Sequence, residues 1–551
     1  MRHDRLGAFA GATLVWLVAL PTHAANQSAD DISFSGKSLS AVFTICRVEA
    51  RAEPHDANRT IFIQPGMGNG GFPIATVNPK AQAWFDYGLK MFHAFYHDDA
   101  RRAFDNAVLA DPHCAMCLWG QALSRGPTMN FDAEADDFKS GLEIVKHAQA
   151  QARTAREKRL IAALVRRYSR AQDVAAERDF AADLIKANAI GPSTPDLQLL
   201  AAEVTLTEFR RGDHTVPAAA IALIEPILRA TPSNTAAIHY YIHATEMGGH
   251  PASALLYAEK LAALAPNASH LIHMAAHTYF RVGRYEDAAT INASAMRTDS
   301  DHLTETKTAG GLSPAIYYEH NLNFGMAGSL ISGDRALALK FADHLHRAFP
   351  EKDFAQDGMA SDEARRFIIY ARYDPQRILS LPEPIMEGPA TQSFYHYARG
   401  EAYVALGDAR SLAIEVEKIS GDGLALKLAR QVLVGRLAML QHRFSDAGRA
   451  FEEAAGLQDQ LLAKPGTMDP PAWWYPVRRS AAAAWLQDGQ FAKAAEAAQK
   501  SLVAWPSDPL ALLVLSKAND GLGRHEDARR YDAQAIGLWM GDISKVNIAV
   551  I

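Results

Sequence analysis

The chain has 551 residues, a formal net charge of −6 and 48% hydrophobic residues. That length is enough to bury one large core or several. The net charge is small and the sequence contains no block of Lys or Arg, which argues against nucleic acid or an anionic membrane surface as a partner. Three cysteines are too few for a scaffold built on disulfides.

The N-terminus, residues 1–24, is predicted to be a secretory signal peptide. Arg2 and Arg5 precede an apolar run that ends at Leu20, and small residues follow up to Ala24. The run is short and rich in Gly and Ala, and no later segment approaches the length of a membrane span. We therefore expect an exported protein, periplasmic or secreted, with an uncleaved membrane anchor as the alternative.

Residues 25–78 are predicted to form an extended and loop-rich segment. Alternating stretches at Ile32–Phe34 and Thr60–Ile63 favour one or two short strands. The glycine-rich loop Gly66–Gly71 has neither a following P-loop lysine nor a surrounding Rossmann unit. It is better explained as a flexible connection to a helix that begins at Pro79.

From residue 79 the sequence repeats a pattern typical of helix pairs. The first unit carries Trp84, Tyr87, Gly88, Met91, Ala100, Phe104, Ala107 and Pro112, and the grid recurs to the end, with Gly489 and Gly523 separated by 34 residues. This resembles the tetratricopeptide-repeat superfamily over most of residues 79–540. The resemblance implies an all-α solenoid of helical hairpins with a concave binding face. Stretches such as "FDYGLKMFHAFYHDDARRAF" also resemble a group of exported bacterial repeat proteins.

The repeat pattern divides the chain into two predicted solenoid halves, residues 79–373 and 393–551. Residues 131–195 are helical by pattern but out of phase, so they are expected to form an irregular helical insert. Residues 374–392 contain four prolines and are predicted to be a linker.

Two adjacent repeats carry an unusual set of polar residues. The resemblance implies that His239, His243, Glu246, His270, His273 and His277 face the concave groove, together with His93 and His320 from other repeats. His239 and His273 are 34 residues apart, and so are His243 and His277. Side chains at i and i+4 share one helix face, and neighbouring helices lie roughly 8–10 Å apart.

Two interpretations of this set remain open. Four imidazoles, with Glu246 alongside, are expected to be able to converge on a single divalent ion such as zinc or copper. Alternatively, groove-lining histidines only form hydrogen bonds to a bound partner. The first function hypothesis is therefore an exported scaffold that binds a peptide, protein or small ligand in its groove. The second is a metal-binding protein or a metal-dependent enzyme.

Cys114 and Cys117 have the CxxC spacing at a predicted helix start. A thioredoxin-like redox pair requires a βαβ neighbourhood, which the all-helical pattern does not provide. A local disulfide, a pairing with Cys46 or two packed thiols are the alternatives, and low-pKa reactivity at the helix N-terminus also remains open. No recognised catalytic signature is present, so no catalytic residue is assigned.

Overall fold

The computed structural model describes residues 61–130, 132–170, 173–309, 315–348, 360–384, 388–463 and 470–551. Within these ranges the chain forms 24 α-helices and no β-strand. The all-α prediction is confirmed. Residues 61–63, the described part of the predicted Thr60–Ile63 strand, have no regular secondary structure. The predicted signal peptide, Ile32–Phe34 and Cys46 lie outside the described residues.

The helices follow one another with short connections. They are α1 (Pro79–His93), α2 (His97–Ala110), α3 (Ala115–Leu123), α4 (Ala135–Gln151), α5 (Ala155–Ser169), α6 (Val174–Asn188), α7 (Pro195–Thr207), α8 (Val216–Ala230), α9 (Thr235–Met247), α10 (Leu255–Leu264), α11 (Ser269–Arg281), α12 (Tyr285–Ala309), α13 (Ala315–Ser332), α14 (Arg335–Ala348), α15 (Ala360–Tyr373), α16 (Pro375–Ser380), α17 (Gly388–Leu406), α18 (Ala409–Lys418), α19 (Leu424–Leu440), α20 (Phe444–Leu462), α21 (Arg478–Gln487), α22 (Phe491–Ala504), α23 (Pro509–Gly521) and α24 (His525–Leu538).

These helices pack as successive hairpins, each odd-numbered helix against the even-numbered helix that follows it. Odd-numbered helices also contact one another from hairpin to hairpin, for example α7 with α9, α9 with α11 and α11 with α13. The result is a tetratricopeptide-like solenoid. The predicted insert, residues 131–195, contains α4, α5 and α6, which continue the hairpin series.

Small residues allow the two helices of a hairpin to approach closely. A Cβ atom added to Gly88 would lie 2.6 Å from the Phe104 ring, and one added to Gly435 would lie 2.7 Å from the Phe451 ring. In both hairpins the aromatic residue follows the glycine by 16 residues, so the same packing recurs. Gly88 and Gly435 therefore lie where the two helices of their hairpins meet.

The turn between the helices of a hairpin uses one residue with positive φ. Gly283, Gly489 and Gly523 occupy this position with φ of 82°, 74° and 74°. Two hairpins place a larger side chain there, Phe95 with φ 63° and His442 with φ 59°. L-residues with a Cβ atom rarely adopt this conformation because it is sterically strained, so both positions are exceptions to the pattern.

The described part of the predicted linker contains a packed helix. α16 lies against α15 and α17, its residue Ile378 is buried, and the Tyr395 hydroxyl donates a 2.6 Å hydrogen bond to the carbonyl of Leu381. α15 also packs directly on α17. Helix packing is therefore continuous across this region.

Contacts distant in sequence bring α1 beside the hairpins that carry the histidine-rich helices. α1 packs on α9, and Phe95 in the turn after α1 lies 4.3 Å, centroid to centroid, from the His239 ring. The glycine-rich loop also reaches these hairpins: the backbone N–H of Asn69 donates to the Thr235 hydroxyl over 2.7 Å. This loop thereby fixes the N-terminal end of α9 against the first hairpin.

No helix in the described part of the chain combines the length and the apolar character needed to cross a membrane.

Candidate metal centre

Six histidines from three neighbouring helices meet inside the solenoid. α9 contributes His239 and His243, α11 contributes His270, His273 and His277, and α13 contributes His320. Five of the side chains are at most 1% exposed, and His320 is 7% exposed. The groove-lining positions expected from the repeat register are thus buried, so these imidazoles do not present an open surface to a peptide.

The histidines form two groups. The first histidine group is His239, His243 and His270, and one candidate ligand atom from each lies within 4.8 Å of the others. The Nε2 atom of His239 is 3.2 Å from Nε2 of His243 and 3.2 Å from Nε2 of His270. One nitrogen from each of three rings therefore faces the same small volume.

The second histidine group is His273, His277 and His320. Here too, one candidate ligand atom from each ring lies within 4.8 Å of the others. The Nε2 atoms of His273 and His277 are 2.9 Å apart. Nε2 of His320 is buried and has no hydrogen-bond partner. The two groups differ from the single four-histidine site expected from the sequence, because His270 joins the α9 histidines while the other α11 histidines join His320.

Hydrogen bonds at Nδ1 fix the tautomers in the second group. Nδ1 of His273 lies 2.7 Å from Oδ1 of Asn292, whose amide nitrogen is already committed to the Ala288 carbonyl over 2.7 Å. Nδ1 of His277 lies 2.9 Å from a carboxylate oxygen of Glu246. Both partners can only accept, so both Nδ1 atoms carry hydrogen. In a neutral ring the lone pair is then on Nε2.

If both rings are neutral, two Nε2 lone pairs face each other at 2.9 Å in the second group, and the contact is repulsive unless a metal ion lies between them. If His277 is protonated beside the Glu246 carboxylate, its Nε2–H donates to His273 instead. In the first group, Nδ1 of His239 donates to the carbonyl of His93 over 2.6 Å. His239 Nε2 is thus also an unprotonated lone pair, and it faces two neighbouring rings.

The spacing of these nitrogens matches that of ligands on one ion. Ligand nitrogens about 2.0–2.1 Å from a tetrahedral zinc ion lie roughly 3.3–3.4 Å from one another. The three Nε2–Nε2 distances are 3.2, 3.2 and 2.9 Å. Small outward movements of the rings would accommodate an ion in either group.

Burial keeps five of the six imidazoles neutral. Desolvation lowers the pKa of His239 to about 3, and it lowers the pKa of His243, His270, His273 and His320 well below the ordinary value, with further lowering by neighbouring histidines. Only the neutral ring offers a lone pair to a metal. At neutral pH these side chains are therefore in the protonation state that a metal requires.

Glu246 supports the second group from outside. Burial alone would raise the pKa of its carboxyl group, but His277 and Arg281 outweigh burial and hold the pKa well below the usual range. One oxygen accepts from His277 Nδ1 over 2.9 Å, and the other accepts from Arg281 Nε over 2.7 Å. The carboxylate predicted as a metal ligand thus contacts the far nitrogen of a histidine ring.

His93 has a comparable place beside the first group. Its carbonyl accepts from His239, its Nδ1 lies 3.0 Å from the Tyr240 hydroxyl, and its Nε2 lies 3.3 Å from Asp196. Both of its ring nitrogens are engaged. The side chain of His93 therefore supports the site and does not join either three-histidine group.

An aromatic ring covers each histidine group. Phe95 contacts all three rings of the first group, with centroid distances of 4.3, 5.6 and 5.2 Å to His239, His243 and His270. Phe324 contacts the second group in the same way, at 5.1, 4.6 and 5.1 Å from His273, His277 and His320.

Sequence reasoning missed both phenylalanines, together with Asn292. The signal for Phe95 was its position: it stands in the hairpin turn where other repeats have glycine. Strained residues persist where the surrounding structure holds them, and they often mark functional sites. Phe324 and Asn292 gave no comparable signal, because a buried Phe or Asn on a repeat helix has many ordinary explanations.

Cys114 and Cys117 are joined by a disulfide at the start of α3. Both residues are buried. Cys114 is the N-cap residue of the helix, and its sulfur accepts a hydrogen bond from the backbone N–H of Cys117 over 3.0 Å. Neither cysteine belongs to a histidine group.

A second feature of the inner face is a cavity of about 550 Å³ in the C-terminal half. It is lined by odd-numbered helices from α13 to α23 and by residues 545–551. The remaining wall is largely apolar, and four cationic side chains line it: Arg372, Arg436, Arg479 and Lys545. The last three are paired with the carboxylates of Glu401, Asp508 and Asp542, respectively. The Nε atom of Arg479 is buried without a hydrogen-bond partner.

No protein-family model and no curated protein matches this chain. Among solved structures, it is similar to the human IFIT1 dimer with m7Gppp-AAAA, with a TM-score of 0.28 and 12% identity over 84% of this chain and 91% of that chain. It is also similar to Naa15/Naa10 bound to HypK-THB, with a TM-score of 0.25 and 11% identity over 84% and 71% of the two chains. Similarities this weak carry no argument about function.

Proposed function

We propose that this protein binds two transition-metal ions, one in each histidine group. The observation that carries the proposal is the pair of buried three-histidine groups, in which neighbouring Nε2 atoms lie 3.2, 3.2 and 2.9 Å apart. A metal ion in either group would form coordinate bonds with these nitrogens. Zinc and copper both suit imidazole ligands.

A proton is a poor substitute for a metal ion at His239, His243, His270 and His273. An imidazolium ion there would place a positive charge on a side chain that is at most 1% exposed and has imidazoles as neighbours, whereas His277 lies 2.9 Å from the Glu246 carboxylate. Desolvation disfavours the charged form, which is why the pKa values of these histidines are lowered. An ordinary core histidine pairs each ring nitrogen with a complementary group, whereas Nδ1 of His270 and Nε2 of His320 are buried without a hydrogen-bond partner.

The surrounding groups match what a metal site requires beyond its ligands. Metal-bound histidines usually donate their other ring N–H to a carboxylate or carbonyl oxygen, which fixes the orientation of the ring. His277 donates such a hydrogen bond to Glu246, and His273 donates one to Asn292. In the first group, His239 donates to the carbonyl of His93. Each histidine group thus has at least one ring oriented with Nε2 toward the site.

The test is metal binding by the purified chain and its variants. The metal-free protein should bind two equivalents of Cu or Zn ions, and its melting temperature should rise with metal and fall again with chelator. His243→Ala and His277→Ala should each remove one high-affinity equivalent. His442→Ala is the matched control, because His442 is exposed and lies outside both groups.

Elemental analysis and calorimetric titration give the stoichiometry, and circular dichroism checks that each variant is folded. If the parent binds only one equivalent of metal and both variants lose it, the protein has a single site shared by the two histidine groups. A folded parent that binds no metal tightly, and whose melting ignores Zn and Cu ions, would end the proposal.

The C-terminal cavity supports a second candidate function, the binding of a small anionic ligand with an apolar body. Arg372 lines this largely apolar volume of about 550 Å³, whereas the other three cationic side chains on its wall are paired with carboxylates. Guanidinium groups bind carboxylates in a bidentate manner. We expect octanoate to stabilise the protein against heat, and Arg372→Gln to weaken that effect. No shift in melting temperature with octanoate or with longer carboxylates would refute this function.

A further inference from the structure

The two histidine groups share a wall. The ring centroids of His243 and His277 are 5.8 Å apart, and those of His270 and His273 are 6.0 Å apart. Each of these pairs joins one member of the first group to one member of the second. The two proposed ions therefore occupy adjacent positions along the α9–α11 interface, without a layer of other side chains between them.

The donor set favours metal ions of low charge. All six candidate ligands are imidazoles, which carry no charge when they bind a metal, and each group consists of histidines alone. The nearby carboxylate of Glu246 is already balanced by Arg281, which contacts it over 2.7 Å. Burying charge is costly unless it is compensated, and the cost rises steeply with the charge. Two Cu(I) ions bring half the charge of two divalent ions into this site.

We infer that the two sites hold a pair of copper ions that together bind one dioxygen molecule and reduce it by two electrons. This inference rests on the proposed function, since it requires both metal sites. Imidazole binds copper strongly, and copper exceeds the other divalent first-row metals in affinity for a given site. Zinc, the other candidate, has no redox chemistry.

The electron balance of the step uses both ions. Each Cu(I) loses one electron and becomes Cu(II). Dioxygen gains these two electrons, so its double bond becomes a single bond, and a copper–oxygen bond forms at each ion. When two protons from solvent are added, the copper–oxygen bonds break and hydrogen peroxide leaves. One ion alone supplies only one electron, so adjacency of the two groups is essential.

Aromatic side chains enclose the two histidine groups. Phe95 and Phe324 lie against all six imidazoles and are each 1% exposed. Tyr317 packs 4.1 Å from the His270 ring, between centroids. These rings place apolar surface around the histidines, and a small neutral molecule such as dioxygen loses less hydration energy in such surroundings than a charged ligand does.

The experiment begins with protein loaded with two equivalents of Cu(I) in the absence of oxygen. On addition of oxygen, the parent should take up one O₂ for every two copper ions. Electron paramagnetic resonance should then show almost no Cu(II) signal, because the spins of two adjacent Cu(II) ions couple. Protein loaded with zinc is the control and should take up no oxygen.

Variants that keep one group distinguish a pair from two independent ions. His243→Ala and His277→Ala should each retain one copper ion, lose at least tenfold in the rate of O₂ uptake and show the Cu(II) signal of an isolated ion after oxidation. If one of them fails to fold by circular dichroism, the other carries the same test. His442→Ala should behave as the parent.

Two results have different meanings. If the parent binds two copper ions but takes up no oxygen, or gives the full signal of two isolated Cu(II) ions, this inference is overturned and the proposed function stands. If the parent binds no metal, the proposed function fails first. Release of superoxide, one molecule per copper ion, would also overturn the paired two-electron step.

Discussion

Replacing Phe95 separates the two energetic contributions of this residue, ring packing and backbone strain. The ring is 1% exposed and contacts three histidines, so its removal should destabilise the protein by about 3–5 kcal/mol. The backbone has φ 63°, which costs an L-residue about 1–2 kcal/mol. Phe95→Ala keeps the strain, whereas Phe95→Gly relieves it.

The difference between the two variants can be estimated. Relief of the left-handed strain favours Gly by about 1–2 kcal/mol, and the greater freedom of Gly in the unfolded chain opposes it by about 0.5–1 kcal/mol. Phe95→Gly should therefore be about 0.5–1 kcal/mol more stable than Phe95→Ala, although both are less stable than the parent. Chemical denaturation of the metal-free protein measures the three free energies of unfolding.

His442 provides the matched comparison, because it adopts φ 59° in the same turn of another hairpin while its side chain is exposed. The free energy of unfolding of His442→Gly should exceed that of His442→Ala by about 0.5–1 kcal/mol. Neither variant should show the loss of ring packing expected at Phe95. If alanine equals or exceeds glycine at both positions, the strain attributed to this turn does not exist. If it does so at Phe95 alone, the surrounding rings must reshape the turn when Phe95 is removed.

Three further predictions concern single substitutions, and each is measured as a change in the free energy of unfolding. Gly435→Ala should destabilise by about 1–3 kcal/mol because its Cβ would lie 2.7 Å from Phe451, whereas Gly456→Ala, with open space around it, should be neutral or stabilising. Thr154→Ala should cost about 1 kcal/mol by removing the capping box of α5. Burial raises the pKa of Asp299 to about 7, so the stability of the parent relative to Asp299→Asn should fall as pH rises from about 4 to about 7. A pH-independent difference would contradict this last assignment.

The fold was largely predictable because the repeat pattern records local packing. The glycine and aromatic positions of each hairpin, such as Gly88 and Phe104, contact each other within one repeat. Their spacing in the sequence therefore carries the geometry directly. Residues 374–392 were harder to assign, because their prolines are compatible both with a linker and with the short helix α16, which begins at Pro375.

The site was predictable only in composition. The i,i+4 pairs place His239 beside His243 and His273 beside His277, as the spacing indicates. The grouping depends instead on the relative rotation and offset of α9, α11 and α13, which decide that His270 turns toward α9 and that His320 completes the second group. Such offsets come from packing between whole hairpins, and a single sequence does not encode them in any local pattern.

The contact of the first hairpin with α9 affects how this protein folds. In most repeat solenoids each unit contacts only its sequence neighbours, so folding spreads from one unit to the next. Here Phe95 reaches His239 across 143 intervening residues, and Trp505 packs 5.8 Å from Phe280 between ring centroids. Contacts of such high sequence separation slow folding and link distant units into one cooperative transition. Deleting the first hairpin would therefore uncover the histidines of a distant repeat and would not simply shorten the array.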